Sequence, residues 1–320
     1  MLSIVRPLCA LSLALLSTLS AAQKTDVPAK IMVGFPAGGS ADTIARLLAD
    51  KLRTSLMRPV IVDNRPGAGG RILASTLKTL PNDGSVVMLA PDALVTSNPF
   101  VFKKLGYEIT DLVPVSLVTE FPFAMATGAD TGPKSYADFL KLVSANPKMA
   151  DFGSPAAGSP MHFLGLMIGK SMGIDMLHVP FQGGAALATS LISGQPTVGV
   201  NTLTDMIEMH RGGRLRILAV TGEKRSSLLP QVPTFYELGF KQVIRQGYYG
   251  LYAPAGTPAS VIKVWNSAVQ QALQSPDLRE KLSAMGMVVK GSSPEELAQM
   301  GRDDAAIWGP VIKASGFSVD

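Results

Sequence analysis

Residues 30–52 read KIMVGFPAGGSADTIARLLADKL. The apolar run Lys30–Phe35 predicts a short buried strand. A Pro/Gly loop follows, and Thr43–Leu56 carries apolar residues at helical spacing, so the stretch is a strand, a small-residue loop and a helix start. The same sequence of events recurs once: Pro155-Ala156-Ala157-Gly158-Ser159 follows a second apolar run and precedes a second helical pattern.

Working outward, Pro59–Val62 and Ser85–Leu89 read as the next strands, with a helix over Gly70–Leu80 between them and a turn at Pro81-Asn82-Asp83-Gly84. Leu112–Val118 and Phe123–Thr127 are extended segments leaving this unit. A second series then begins. Its strands are Ala150–Gly153, Asp175–Val179, Thr197–Val200 and Leu215–Val220, and its helices are Tyr136–Ala145, Met161–Met172, Ala185–Ser193 and Leu203–Arg211. Near Val243–Tyr252 the chain returns to the first unit. It ends with helices over Pro258–Leu273, Pro276–Met285 and Pro294–Ala314 and a short strand at Met287–Lys290. This alternation predicts an α/β protein with mostly parallel sheets. Two lobes are expected, one from residues 23–121 with 248–320 and one from 122–247.

Composition narrows the class. The chain has 320 residues, 47% hydrophobic and 17% charged, with a mean hydropathy of +0.25, which excludes disorder. The one long uncharged apolar stretch, Leu8–Ala22, is short for a membrane span. With Arg6 before it and Ser20-Ala21-Ala22 after it, it reads as a secretory signal peptide. Cleavage after Ala22 is expected, leaving a chain without its single cysteine, Cys9. Disulfides and thiolate sites are then excluded, which fits a periplasmic location. The formal net charge of +5 is scattered without a basic run. It gives no nucleic-acid footprint and only a mild bias toward anions.

The two loops suggest chemistry. A helix start presents unsatisfied N–H groups and a partial positive charge, and small residues let a ligand approach that backbone. One loop per lobe could hold a carboxylate from both sides, through Ala37, Gly38, Gly39 and Ser40 and through Ala157, Gly158 and Ser159. Equally, each loop reads as an ordinary turn with N-caps at Ser40 and Ser159. Asp42, in the first turn after the first loop, either complements the helix dipole or accepts a ligand ammonium. His162, in the first turn after the second, either lines the cleft or caps its helix. Asp92, Asn201, Thr202 and Asp205 follow later strands and are candidates for reading the rest of a ligand. Asn64-Arg65-Pro66-Gly67-Ala68-Gly69-Gly70 reads first as a structural turn, with Arg65 pairing at the surface, and second as a ligand loop.

Catalytic signals are poor. His162, His178 and His210 match no metal spacing, and there is no G-x-S-x-G elbow, P-loop or dinucleotide fingerprint. No enzyme activity, metal or cofactor is expected.

Six stretches resemble one family: PAGGSADTIARLLADKL (36–52), VDNRPGAGG (62–70), GSPAAGSPMHFLG (153–165), HVPFQGG (178–184), VPTFYELGF (232–240) and LYAPAGTP (251–258). In this order and spacing they resemble the extracytoplasmic solute receptors of tripartite tricarboxylate transporters, the TctC or Bug family, from about Lys30 to the C-terminus. The resemblance implies a type II periplasmic-binding-protein fold whose lobes close on a small carboxylate: a di- or tricarboxylate, an acidic amino acid or an aromatic acid. It places the carboxylate between Phe35–Asp42 and Ala157–His162. Phe181, Asp63, Arg71 and Gly247-Tyr248-Tyr249 depart from the family's usual residues. The expected partners are a small organic anion and either membrane transporter subunits or a sensor protein, with the receptor a monomer. The rival classes are a secreted α/β enzyme acting on a small carboxylate and a ligand-sensing subunit.

Overall fold

Strand β1 (Ala29–Val33) is almost wholly buried, as its unbroken apolar character requires. Helix α1 (Ser40–Ser55) packs over it through Ala41, Ile44, Ala45, Leu48, Ala49 and Leu52, one face at three- and four-residue spacing. The computed structural model describes residues 27–320, so the expected leader lies outside the described residues. Among those described, no helix is long and apolar enough to cross a membrane.

After α1 come β2 (Val60–Asn64), α2 (Arg71–Leu77), β3 (Val86–Pro91), the single turn α3 (Asn98–Val101), β4 (Leu112–Phe121) and β5 (Phe123–Gly128). The second series is α4 (Tyr136–Ala145), β6 (Asp151–Ser154), α5 (Pro160–Ser171), β7 (Leu177–Pro180), α6 (Gly184–Ile192), β8 (Val198–Thr202), α7 (Leu203–Arg211) and β9 (Leu215–Val220). The chain closes with β10 (Gly247–Pro254), α8 (Ala259–Ala272), α9 (Pro276–Ala284), β11 (Val288–Val289) and α10 (Pro294–Ser315).

These strands form two sheets, in the orders β11-β4-β10-β3-β1-β2 and β7-β6-β8-β5-β9. The chain passes from the first to the second at Pro122, between β4 and β5, and returns between β9 and β10. The expectation of mostly parallel sheets is corrected. In the first sheet β1 runs parallel to β2 and β3, but β10 is antiparallel to β3 and β4, and β11 to β4. In the second, β6 is parallel to β7 and β8, and β5 is antiparallel to β8 and β9. Crossing between sheets explains the difference. A strand that arrives from the other sheet, not through a covering helix, is free to enter from the opposite end.

The largest core cluster runs through both lobes, from Ile31 and Ile44 to Phe152, Phe163 and Trp308. Trp265 on α8 is buried and donates its ring N–H to the Gly84 carbonyl at 3.0 Å, which fixes α8 against the turn before β3. A capping box between Ser293 and Glu296 starts α10, and Gly316 ends it. Beyond it the tail pairs with Val101 and Lys103. Phe317 packs edge-on against His162 and Phe163 of α5. The two lobes are thus tied by two strand crossings and by the C-terminal tail.

Candidate functional site

The C-terminal ends of β1, β3, β6 and β8 converge on one cavity of about 610 Å3, the place where α/β sheets present ligands. Both small-residue loops reach it. Phe35, Gly39 and Ser40 line it from the first, and Ala157, Gly158 and Ser159 from the second. Asp92, Asn201, Thr202 and Asp205 line it as well. Ten of the fourteen residues singled out in the sequence therefore meet here, while Ala37, Gly38, Asp42 and His162 do not line it.

Asp42 and His162 stand behind their loops in matching roles. The Gly38 N–H donates to Asp42 Oδ2 at 2.9 Å, and the Gly158 N–H donates to His162 Nδ1 at 3.2 Å. Each is a bond from a loop glycine to the side chain four residues on. A helical side chain leans toward its own N-terminus, so a residue in the first turn reaches its own loop. Asp42 also accepts from Arg46 Nε at 2.9 Å, and this bond holds its carboxyl below the usual carboxylate range. Arg46 reaches Asn64, whose side-chain amide donates to the Phe35 carbonyl at 3.1 Å. Both side chains bond loop backbone, and neither lines the cavity.

The expected caps divide. Ser159 caps α5, accepting from the His162 N–H at 3.3 Å and donating to the Ala156 carbonyl at 2.7 Å. Ser40 is not a cap; Gly39 is the N-cap of α1, and Ser40 is its first helical residue. The Ser40 and Ala41 N–H groups have no acceptor among the described residues, as the first turn of a helix dictates. They are the kind of donor an anion fits.

The second loop rests on a buried aromatic stack. His162 and His178 lie ring on ring, and Ser154 Oγ lies 2.8 Å from His178 Nε2. Burial, and for His162 also the neighbouring ring, pushes both pKa values down to about 4. Both rings are therefore neutral near pH 7. His210, in the last turn of α7, lies away from this site and accepts the Ile217 N–H.

The third glycine turn, read chiefly as structural, places Ala68 and Gly69 in the cavity wall. They are brought there by close backbone packing: a Cβ on Gly34 would lie 2.4 Å from Gly70 Cα. Arg65 does pair at the surface, with Asp63 at 3.1 Å. Phe121 and Phe123, either side of the crossing at Pro122, and Tyr249 on β10 form an aromatic floor, with ring centroids 5.8 and 5.3 Å apart. Phe102 closes one wall, and the Arg71 guanidinium stacks on its ring 3.6 Å from the centroid.

The polar groups of the wall are acidic or neutral. Among its described residues there is no lysine, arginine or histidine. Asp92 is buried, and desolvation, reinforced by the charge of Asp304, raises its pKa to about 8. Asp205 is raised above its usual value by desolvation, opposed by the neighbouring Thr202 and Asn201 side chains. Asn201 is 1% exposed; its Oδ1 accepts the Thr202 N–H at 2.8 Å, which fixes the amide orientation, and its Nδ2 has no hydrogen-bond partner. A larger polar recess of about 980 Å3 borders both strand crossings. Two of its cations are paired with carboxylates of the same recess, Arg245 with Asp304 at 2.6 Å and Lys290 with Glu120 at 3.3 Å. No group of three or more metal-ligating side chains occurs among the described residues.

Two α/β lobes joined by strand crossings, with helix starts from both facing one cavity, define a solute-binding protein of the periplasmic type. The chain belongs to the tripartite tricarboxylate transporter family receptor family, TctC, whose match covers residues 44–317. It is 30% identical over 316 residues to the protein in the tcbD-tcbE intergenic region of Pseudomonas sp. strain P51, covering 96% of this chain and 93% of that one. It is also 30% identical over 291 residues to protein BugT of Bordetella pertussis, covering 90% and 89%. Among solved structures, the periplasmic binding protein BugD superposes with a TM-score of 0.78 at 28% identity, covering 91% of this chain and 98% of that one. MatC from Rhodopseudomonas palustris with bound malate gives 0.77 at 27%, covering 89% and 99%. R. palustris Rpa4515 with adipate gives 0.82 at 27%, covering 91% and 98%.

Proposed function

We propose that this protein is a periplasmic receptor that captures a small carboxylate between its two lobes and delivers it to a membrane transporter. The observation that carries the reading is the meeting of Gly39, Ser40 and Ala41 with Ala157, Gly158 and Ser159 around one cavity. The N–H groups of Ser40 and Ala41 on the first side and of Ala157 and Met161 on the second have no acceptor among the described residues, whereas those of Gly158 and Ser159 are already bonded to His162 and Ala156; the positive dipole ends of both helices add to these donors. Because no cationic side chain lines that space among the described residues, the anion is held by backbone donors, with the Asn201 amide as a further donor. The aromatic floor of Phe121, Phe123 and Tyr249 accommodates a ligand's carbon frame.

The strand crossings at Pro122 and between β9 and β10 form the hinge. A ligand touching both lobes stabilises the closed arrangement by its differential affinity for it. Malate in MatC and adipate in Rpa4515 support a carboxylate as the ligand class, and the family description supports delivery to a transporter. The test is a thermal-shift panel of mono-, di- and tricarboxylates, aromatic acids and amino acids. A ligand at one hundred times its Kd stabilises by about 2.7 kcal/mol, a readily measured rise in Tm. A folded, ligand-free protein that no carboxylate stabilises would overturn the reading.

A further inference from the structure

We propose that Asp92 and Asp205 form a counter-charge subsite for an ammonium group, so that the ligand is an amino carboxylate and not a dicarboxylate. This rests on the receptor reading above and names the ligand's other end.

The geometry is specific to this cavity. The lining residues with ionisable carboxyls are Asp92, from the end of β3, and Asp205, from the first turn of α7. They come from opposite lobes, and Tyr249, between the lobes on β10, lines the same cavity. Asp205 Oδ2 and Asn201 Nδ2 border the same small space over Gly184, where a Cβ would lie 3.0 and 2.6 Å from them. Asn201 is buried, lines the cavity and has an unpartnered amide donor, which marks the space as one that receives a polar ligand.

A dicarboxylate placed here would set its second anionic group against two carboxyls, with no lining lysine, arginine or histidine to neutralise it. An ammonium makes the Asp205 contact attractive and favours ionisation of Asp92, which adds a second attractive contact. The raised pKa of Asp92 fits the same account, since a buried carboxyl lacking a cation keeps its proton. The pairing also divides the labour within the cavity. Backbone donors of the two loops and Asn201 serve the ligand's carboxylate, and Asp92 and Asp205 serve its ammonium.

The experiment uses ligands matched in length: β-alanine against succinate, 4-aminobutanoate against glutarate, and 5-aminopentanoate against adipate. 4-Hydroxybutanoate is a donor without charge, and alanine against propionate tests an ammonium next to the carboxylate. Affinities are measured by calorimetry on the folded protein and on Asp205→Asn and Asp92→Asn, with unfolding curves run alongside. In at least one pair the amino acid is expected to bind tenfold or more tighter than its partner. Asp205→Asn, which keeps the side chain's shape, is expected to cut that preference at least tenfold. Dicarboxylates binding as well as or better than their amino partners, 4-hydroxybutanoate matching 4-aminobutanoate, or a preference unchanged in Asp205→Asn would each overturn the subsite and leave the receptor intact. Failure of every carboxylate to bind would overturn the receptor reading and the subsite with it.

Discussion

His162 and His178 stack with ring centroids 3.7 Å apart, directly behind the loop that lines the cavity. Because Nδ1 of His162 accepts the Gly158 N–H, a proton on that nitrogen sets two donors against each other and loosens the loop. Both rings are held near pKa 4, chiefly by burial, below about 6.5 for the unfolded chain. The folded state thus binds fewer protons, and the stability from these rings is complete above about pH 6.5 and lost as pH falls toward 4. NMR titration is expected to show the stacked pair titrating near pH 4, in coupled steps. Ordinary titration near 6.5 would contradict the buried stack.

The two loop glycines nearest the cavity respond differently to substitution. A Cβ on Gly39 meets only the Pro36 carbonyl, at 3.7 Å, and its φ is −81°. Gly158 has φ +76°, and a Cβ there lies 2.8 Å from Phe317 and 3.0 Å from Val101. Gly39→Leu is therefore expected to change stability by less than about 1 kcal/mol while reducing carboxylate affinity at least tenfold. Gly158→Leu is expected to destabilise by about 2 to 4 kcal/mol through strain and overpacking. Urea unfolding and calorimetry on both variants check this; wild-type affinity in Gly39→Leu would contradict the site.

Asp42 acts through the loop and not on the ligand. Asp42→Ala removes the acceptor of the Gly38 N–H and of Arg46 and should cost about 1 to 3 kcal/mol. Affinity should fall as well, because the first loop loses its anchor. Unchanged stability in urea would show that the loop is held by other means.

Asp92 carries a stability cost of opposite pH sign to the histidines. Its folded pKa of about 8 lies above the unfolded value near 4, so the folded state binds more protons across that window. Stability therefore falls as pH rises from about 4 to 8, by about 1.4 kcal/mol for each unit of the shift. Asp92→Asn is expected to flatten this part of the curve and to raise Tm at pH 8 relative to wild type. Parallel Tm-against-pH curves for the two proteins would contradict a neutral, desolvated Asp92.

How much of this was legible in the sequence follows from what each feature depends on. The strand-loop-helix units show through local periodicity, and so do both loops and the strand-end positions of Asp92, Asn201, Thr202 and Asp205. The parallel expectation failed at β5 and β10, which arrive from the other lobe and run antiparallel to their neighbours; strand direction there depends on the crossing, not on any local pattern. Phe121, Phe123 and Tyr249 read as ordinary core residues; only the meeting of the crossings turns them into a cavity floor. Asp42 and His162 were placed in the right turn, and the N-terminal lean of helical side chains carries them back onto Gly38 and Gly158; which first-turn residue would be held by backbone and which would meet a ligand needed the cavity's outline. Ala68 and Gly69 enter because Gly34 lets Gly70 approach, a contact between segments far apart in sequence.

The central claim is that loop backbone from both lobes holds the ligand's carboxylate. A crystal structure with the carboxylate that most raises Tm tests it most directly. The account predicts carboxylate oxygens about 2.7 to 3.2 Å from N–H groups at the starts of both α1 and α5. A carboxylate bound instead by cationic side chains in the recess around Arg245 and Lys290, with the two loops empty, would contradict it.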